Sequence, residues 1–192
     1  MSERRPPDPY ADGFNLRFRP ATMDDVPLLD RWDQDPAVIA STTDDPDADK
    51  AFKDAYWPDE IRSQDAYNAY LIAEIDGQPI GAMQVIDPHQ ESTHYWGDIE
   101  PNLRAIDIWI GEPEYRGKGF GAHMMRAVIE GCFADPGVTA IIIDPLNSNT
   151  RAHKFYQRLG FKPTHRQTFN DEDDCLVHRL TRDDWRAQHQ RN

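Results

Sequence analysis

The chain has 192 residues, 39% of them hydrophobic and 29% charged, with a formal net charge of −13. A sequence of this length buries roughly 70% of its unfolded surface around one core. Its acidity argues against nucleic acid and anionic membranes as partners and favours a cationic one. No apolar run approaches the ~20 residues that a membrane-spanning helix needs, and the start, with Pro6, Pro7 and Pro9, has no apolar signal-peptide core. A cytoplasmic location is expected.

Residues 1–13 and 186–192 read as loosely ordered ends around a single domain of 14–185. Thr22 and Asp25 have the spacing of a capping box. The Asp44 to Asp49 cluster, interrupted by Pro46, reads as a solvated loop. Asp76-Gly77 between two apolar runs marks a hairpin, because both turn positions need positive φ. His89 and His94 flank a loop, and the seven histidines show no metal-ligand spacing.

Ala105 to Ile110 alternates as a strand does, with Ile106, Ile108 and Ile110 on one face and Asp107 between Ala105 and Trp109 on the other. A carboxylate in mid-strand must be solvated or partnered. Next comes Arg116-Gly117-Lys118-Gly119-Phe120-Gly121, leading into a helix predicted over Ala122 to Cys132. Three glycines let the backbone approach a ligand, and the helix's first-turn N–H groups face it. This is the pattern of an anion site, and a diphosphate is its natural guest. A second strand, Val138 to Ile143, ends at Asp144-Pro145. The helix after it carries Ala152, Phe155, Tyr156 and Leu159 at helical spacing, with Ser148 or Asn149 as its cap and Gly160 at its close. Cys132 and Cys175 read as packing thiols, and Asp171 to Asp174 as a hairpin loop. The first hundred residues hold 8 Lys/Arg against 22 Asp/Glu, the remainder 13 against 12. The half with the glycine motif is thus nearly neutral and the acid lies elsewhere.

Arg-x-x-Gly-x-Gly after one strand and Asn-x-x-Ala-x-x-x-Tyr-x-x-x-Gly-Phe after the next resemble the acetyl-CoA core of the GNAT superfamily of N-acetyltransferases, and the likeness runs from Leu16 to Leu180. Ile106-Asp107 through Gly121, Phe133 to Thr139 and Asp144-Pro145 are most similar to aminoglycoside 6′-N-acetyltransferases and related bacterial acyltransferases. The resemblance implies an α/β fold in which a mixed, mostly antiparallel central sheet is flanked by helices. It also implies acetyl-CoA as co-substrate and no metal. The pyrophosphate is expected on the backbone of Gly117, Lys118, Gly119, Phe120, Gly121 and Ala122, with Arg116 and Lys118 adding positive charge. The pantetheine is expected along Ile108, Trp109 and Ile110, with Asn149 and Tyr156 completing the cofactor site.

Tyr156 occupies the family's general-acid position. The ordinary Tyr pKa of about 10 exceeds that of a thiol, about 8.5, so proton transfer to the leaving thiolate is uphill by only about 2 kcal/mol. Asp107 matches an aspartate of the aminoglycoside enzymes and can hold an ammonium and accept its proton, directly or through water. Asp144 matches a second acceptor-site acid, with Glu100 and Asp98 as further ammonium contacts. One departure stands out: where those enzymes carry paired tryptophans, this chain has Ser41-Thr42, which leaves Tyr56, Trp57 or Trp96 as a source of an aromatic floor. The expected partner is a cationic small-molecule amine, with no nucleic acid or membrane, and the chain is expected to be a monomer or homodimer. Two alternatives remain: a lysine or hydroxylysine N-acyltransferase of siderophore assembly, and a non-catalytic acyl-CoA-sensing domain.

Overall fold

The computed structural model describes residues 15–53, 55–169 and 172–189. The expected loose stretch 1–13 lies outside them. Of the expected tail, residues 186–189 instead continue a last helix, and 190–192 lie outside the described residues.

Seven strands make one sheet: β1 (Leu16–Pro20), β2 (Asn68–Ile75), β3 (Gln78–Ile86), β4 (Leu103–Trp109), β5 (Ala140–Ile143), β6 (Lys162–Phe169) and β7 (Asp173–Thr181). Their order is β1-β2-β3-β4-β5-β7-β6, and every neighbouring pair is antiparallel except β4 with β5. The mixed, mostly antiparallel sheet is therefore present. Asp76 (φ 51°) and Gly77 (φ 80°) close the β2–β3 hairpin with both turn residues in the left-handed region, as the sequence predicts. Beyond Ala105↔Ile142 no pairing joins β4 to β5, although β4 stays paired to β3 as far as Trp109. Pro145, just past β5, cannot donate to a ladder and helps end the pairing there.

Helices cover both faces. They are α1 (Val26–Asp33), α2 (Pro36–Thr42), α3 (Trp57–Arg62), α4 (Phe120–Ala134), α5 (Thr150–Arg158) and α6 (Arg182–His189). On one face Ile106, Ile141 and Ile143 pack with Phe120, Met124, Met125, Val128 and Ile129 of α4. On the other, Leu29, Trp32, Val38, Trp57 and Ile61 of α1 to α3 cover Tyr70, Ile72, Ala82 and Trp109. Farther along that second face Trp96, Leu146, Phe169 and Cys175 cover Ala105 and Ile142. The split alternation read from β4 is thus real: Ile106 belongs to the α4 side, Ala105 and Trp109 to the other. Both cysteines are unpaired, as packing thiols. The capping box at Thr22 and Asp25 is formed.

The segment between α2 and α3 is held down by one fully buried side chain. Asp33, at the end of α1, accepts from the Phe52 amide at 2.8 Å and from the Trp57 indole at 3.2 Å, while its own carbonyl takes the Ala51 amide at 2.8 Å. A buried carboxylate is tolerable only with donors of this kind. Asp33→Ala strands both donors, so the free energy of unfolding is expected to fall by about 2–4 kcal/mol. Denaturant melts of the variant check this, and an unchanged midpoint would show that the loop is anchored elsewhere.

Candidate active site

The unpaired stretch between β4 and β5 opens into a cavity of about 1480 Å³. Sheet register alone arranges its floor. Tyr70 of β2 lies opposite Gln84 of β3, and Gln84 opposite Asp107 of β4. Past Ala105↔Ile142, where the pairing ends, Asp144 follows β5 close enough to Asp107 for the two carboxyl charges to interact. Side chains at every second position share a face, so Tyr70, Gln84, Asp107 and Asp144 form a polar row across the sheet, and all four line the cavity.

Proximity and burial set the electrostatics of this row. Asp107 is raised above the usual carboxylate range by burial first and then by the negative charge of Asp144. Burial also raises Asp144, opposed by the Tyr95 hydroxyl, which donates to it at 2.7 Å. Each carboxyl keeps some contact with the cavity while protein surrounds it at longer range. Tyr156, on α5, faces the same cavity, and its phenol is pushed above its ordinary value by burial and then by Asp107 and Asp144. A tyrosine so placed keeps its proton at neutral pH and is available as a donor. Tyr70 is likewise raised by burial, and its hydroxyl donates to Glu60 at 3.0 Å.

The glycine turn forms one wall. Gly119, in the left-handed conformation at φ 94°, starts α4 without a side-chain cap, and Gly117, Gly119, Gly121 and Ala122 line the cavity. Ile108, Trp109 and Ile110 line it from β4 and the residue beyond, although the Trp109 ring itself packs into the core under α1 and α3. Asn149 caps α5, accepting from the Ala152 amide at 3.0 Å, and reaches the Ser41 carbonyl at 3.4 Å. The Phe120 side chain is buried with Tyr115 in the α4 core, so only its backbone is at the turn.

Four expectations need correction. Arg116 does not offer its charge to the cavity: its guanidinium donates to the Ile110 carbonyl at 2.8 Å, to Asp35 at 2.8 Å and to the Gly111 carbonyl. The carbonyls past the end of β4 have no strand partner and recruit it instead. Lys118 is exposed and off the cavity wall, where the arginines are Arg126, Arg151 and Arg158. Glu100 pairs with Arg179 of β7 and Asp98 is exposed, both away from the cavity, because the connection after Trp96 turns outward. Finally, the Asp44 to Asp49 segment is more than a solvated loop: Asp45, Asp47 and Asp49 line the cavity, and Asp44 accepts from Ser148 at 2.7 Å. Glu172 and Asp173 line it from the β6–β7 turn, while Asp171 lies outside the described residues.

Of the three candidates for an aromatic floor, Tyr56 points to solvent, whereas Trp57 and Trp96 touch the cavity but are nearly buried. Phe52 and Tyr95 share that wall. Sequence reasoning missed Glu60, Tyr70, Gln84 and Tyr95. The alternation of β2 and β3, set against Asp107, could have found Tyr70 and Gln84; nothing local marks Tyr95.

The profile of the acetyltransferase (GNAT) domain family matches residues 21–169. The aminoglycoside N(6′)-acetyltransferase type 1 of Klebsiella pneumoniae is 34% identical over 111 residues, 57% of this chain and 54% of that protein. The chain thus spans about half the length of that relative. A kanamycin resistance protein of Rhizobium radiobacter is 38% identical over 73 residues, 38% of this chain and 68% of that protein. Among solved structures, aminoglycoside acetyltransferase AAC(6′)-Ib in complex with coenzyme A superposes with a TM-score of 0.76 at 27% identity, covering 91% of this chain and 99% of that one. The same enzyme in complex with coenzyme A and kanamycin gives 0.75 at 27% identity, over the same shares of the two chains.

The raised proton affinity of Asp107 has a cost in stability. A carboxyl that holds its proton more tightly folded than unfolded loses stability as the pH rises from the ordinary carboxylate range, about 4, through its raised value. Asp107→Asn removes that penalty. The variant is expected to melt at a higher temperature than the parent at pH 8, with the gain vanishing near pH 4. Thermal melts across this range check it; an equal gain at pH 4 would assign the effect to packing instead of charge.

Proposed function

The chain belongs to the acetyltransferase (GNAT) family, and from that premise we propose that it transfers the acetyl group of acetyl-CoA to a primary amine of a cationic small molecule, as an aminoglycoside 6′-N-acetyltransferase does. The observation that carries this reading is that two neighbouring carboxyl groups, Asp107 and Asp144, and the Tyr156 phenol face one cavity where β4 and β5 part.

The wall fits the co-substrate, which supplies the activated acyl group. An uncapped helix start at Gly119 offers backbone donors and the positive end of the α4 dipole to a diphosphate. A Cβ at Gly121 would meet Ile110 and Phe155 only at 3.6 and 3.7 Å, so the fold itself has room there and the open surface is left for a ligand. The β4 edge beyond Ala105, unpaired on the β5 side, leaves main-chain groups for an amide-bearing arm. Arg126, Arg151 and Arg158 supply the positive charge on this wall.

The acceptor side is acidic. An amine with a lysine-like pKa near 10.4 arrives as ammonium and must lose a proton before it can attack. Asp107 accepts that proton, its affinity lifted by burial toward the working pH of a general base. Tyr156 gives its phenolic proton to the departing thiolate and regains one from the acylated nitrogen, so one proton leaves through Asp107 and one stays on sulfur. Asp144 holds the cation, and Asp45, Asp47, Asp49, Glu60, Glu172 and Asp173 extend negative charge along the cavity for an acceptor with several amines. We place the enzyme in the cytoplasm; among the described residues no helix is long and apolar enough to cross a membrane.

Free-thiol release measured with aminoglycosides, polyamines, lysine derivatives and neutral amines tests the proposal. Multiply charged amines are expected to be acetylated fastest, and a neutral acceptor outperforming all of them would overturn the cationic assignment. Tyr156→Phe is expected to lower kcat by roughly 10²- to 10⁴-fold with acetyl-CoA affinity little changed. A kcat within about threefold of the parent would reduce Tyr156 to a packing residue.

A further inference from the structure

Two carboxylates side by side on one sheet face are chemically equivalent until something distinguishes them. Asp107 sits on β4 and Asp144 just past β5, near enough for their charges to interact. Among the described residues no side chain donates a hydrogen bond to Asp107, and no cation pairs with either carboxylate. Asp144 has its own backbone amide and, as its one side-chain donor among the described residues, the hydroxyl of Tyr95 at 2.7 Å.

The surroundings of Tyr95 are built to deliver that hydroxyl. Its ring stacks on Phe169 with centroids 4.5 Å apart and planes 7° from parallel, and meets Trp96 edge-on at 5.8 Å. Its amide donates at 2.8 Å to Glu91, a buried carboxylate whose other oxygen takes both the amide and the hydroxyl of Thr93 at 2.6 Å. His94, immediately before it, is held at φ 52°, a conformation costly for a residue with a Cβ. The ring is thus fixed by stacking and by its backbone, while 37% of the residue stays exposed and the residue lines the cavity.

We propose that Tyr95 is a positioning residue that divides the work of the two carboxylates: its hydrogen bond keeps Asp144 as the standing anion that grips the acceptor's positive charge, and leaves Asp107 as the group that accepts the proton. The proposal rests on the acetyl-transfer reading for its purpose, although not for its test. A hydrogen bond to the charged form favours that form, and a lone charge next to it drives the shared proton to the neighbour without a donor. The remaining titratable groups around the pair are Tyr70 of β2, Asp173 and Cys175 of β7 and Tyr156 of α5. None of them donates to Asp144, so Tyr95 is the side chain that distinguishes the two carboxylates.

Carboxyl ¹³C titration of the free protein, without substrate, reads the division directly. In Tyr95→Phe, which retains the stacked ring, Asp144 is expected to titrate about one pH unit higher, a tenfold gain in proton affinity, and Asp107 to titrate lower in response. With amine present, turnover needs both carboxyls ionised, so the acidic limb of the kcat/KM profile, set by the first proton that the pair takes up, should move upward. In an Asp144→Asn background the same Tyr95 change should leave the Asp107 titration where it was. An unmoved Asp144 in folded Tyr95→Phe would overturn the proposal while leaving acetyl transfer intact. A shift of Asp107 that persists in the Asp144→Asn background would also overturn it, since Tyr95 would then act through packing. Failure of every amine in the turnover panel would remove the acetyl-transfer reading and leave the titration result to stand by itself.

Discussion

Everything distinctive in this molecule follows from the place where β4 and β5 stop pairing. The two strands are the sheet's sole parallel neighbours among the described strands, and their ladder extends over three residue pairs before they separate. An interior strand with one unpaired edge is costly unless something satisfies its main chain. Here the missing neighbour opens the cavity, and the carbonyls past the end of β4 are taken by Arg116. The same separation lets side chains on the open face, Asp107 and Asp144, look into a cavity instead of into a core.

Holding two carboxylates there is expensive, and the surrounding structure is correspondingly rigid. Arg116 joins the glycine turn to Asp35, which in turn caps α2 through the Ala37 amide at 2.9 Å. Glu112, just before that turn, receives the Trp32 indole at 3.0 Å and pairs with Arg31 of α1. α1 and α2 are therefore pinned to the glycine turn. Where reacting groups must meet within about 3–3.5 Å, such pinning contributes directly to rate.

The elements that sequence alone disclosed are those governed by local rules. The positive-φ hairpin at Asp76-Gly77, the α5 cap expected at Ser148 or Asn149 and found at Asn149, the helix expected over Ala122 to Cys132 and found over Phe120–Ala134, and the two faces of β4 each depend on a few adjacent residues. Arg116 was misread because a basic residue in a glycine turn looks the same in sequence whether it meets a phosphate or its own chain's carbonyls. Tyr95 lay hidden for a related reason: its partner Asp144 is 49 residues away and its stacking partner Phe169 lies on β6. Asp45, Asp47 and Asp49 have the composition of a solvent loop; only Asp33, which draws Phe52 and Trp57 down onto the sheet, turns that segment into a cavity wall.

The reactive row and the acidic rim belong to different parts of the chain. Tyr70, Gln84 and Asp107 ride on paired strands, whereas Asp45, Asp47, Asp49 and Glu172 ride on connections between elements. Strands cannot take an insertion or deletion without disturbing register, but connections accept substitution, insertion and altered length with little effect on the sheet. Under the proposed function, preference for one polycation over another can therefore drift by edits to the connections alone, with Asp107 and Asp144 untouched. Under selection by a succession of amine-bearing compounds, such a scaffold would diversify quickly at its rim and hardly at all at its centre.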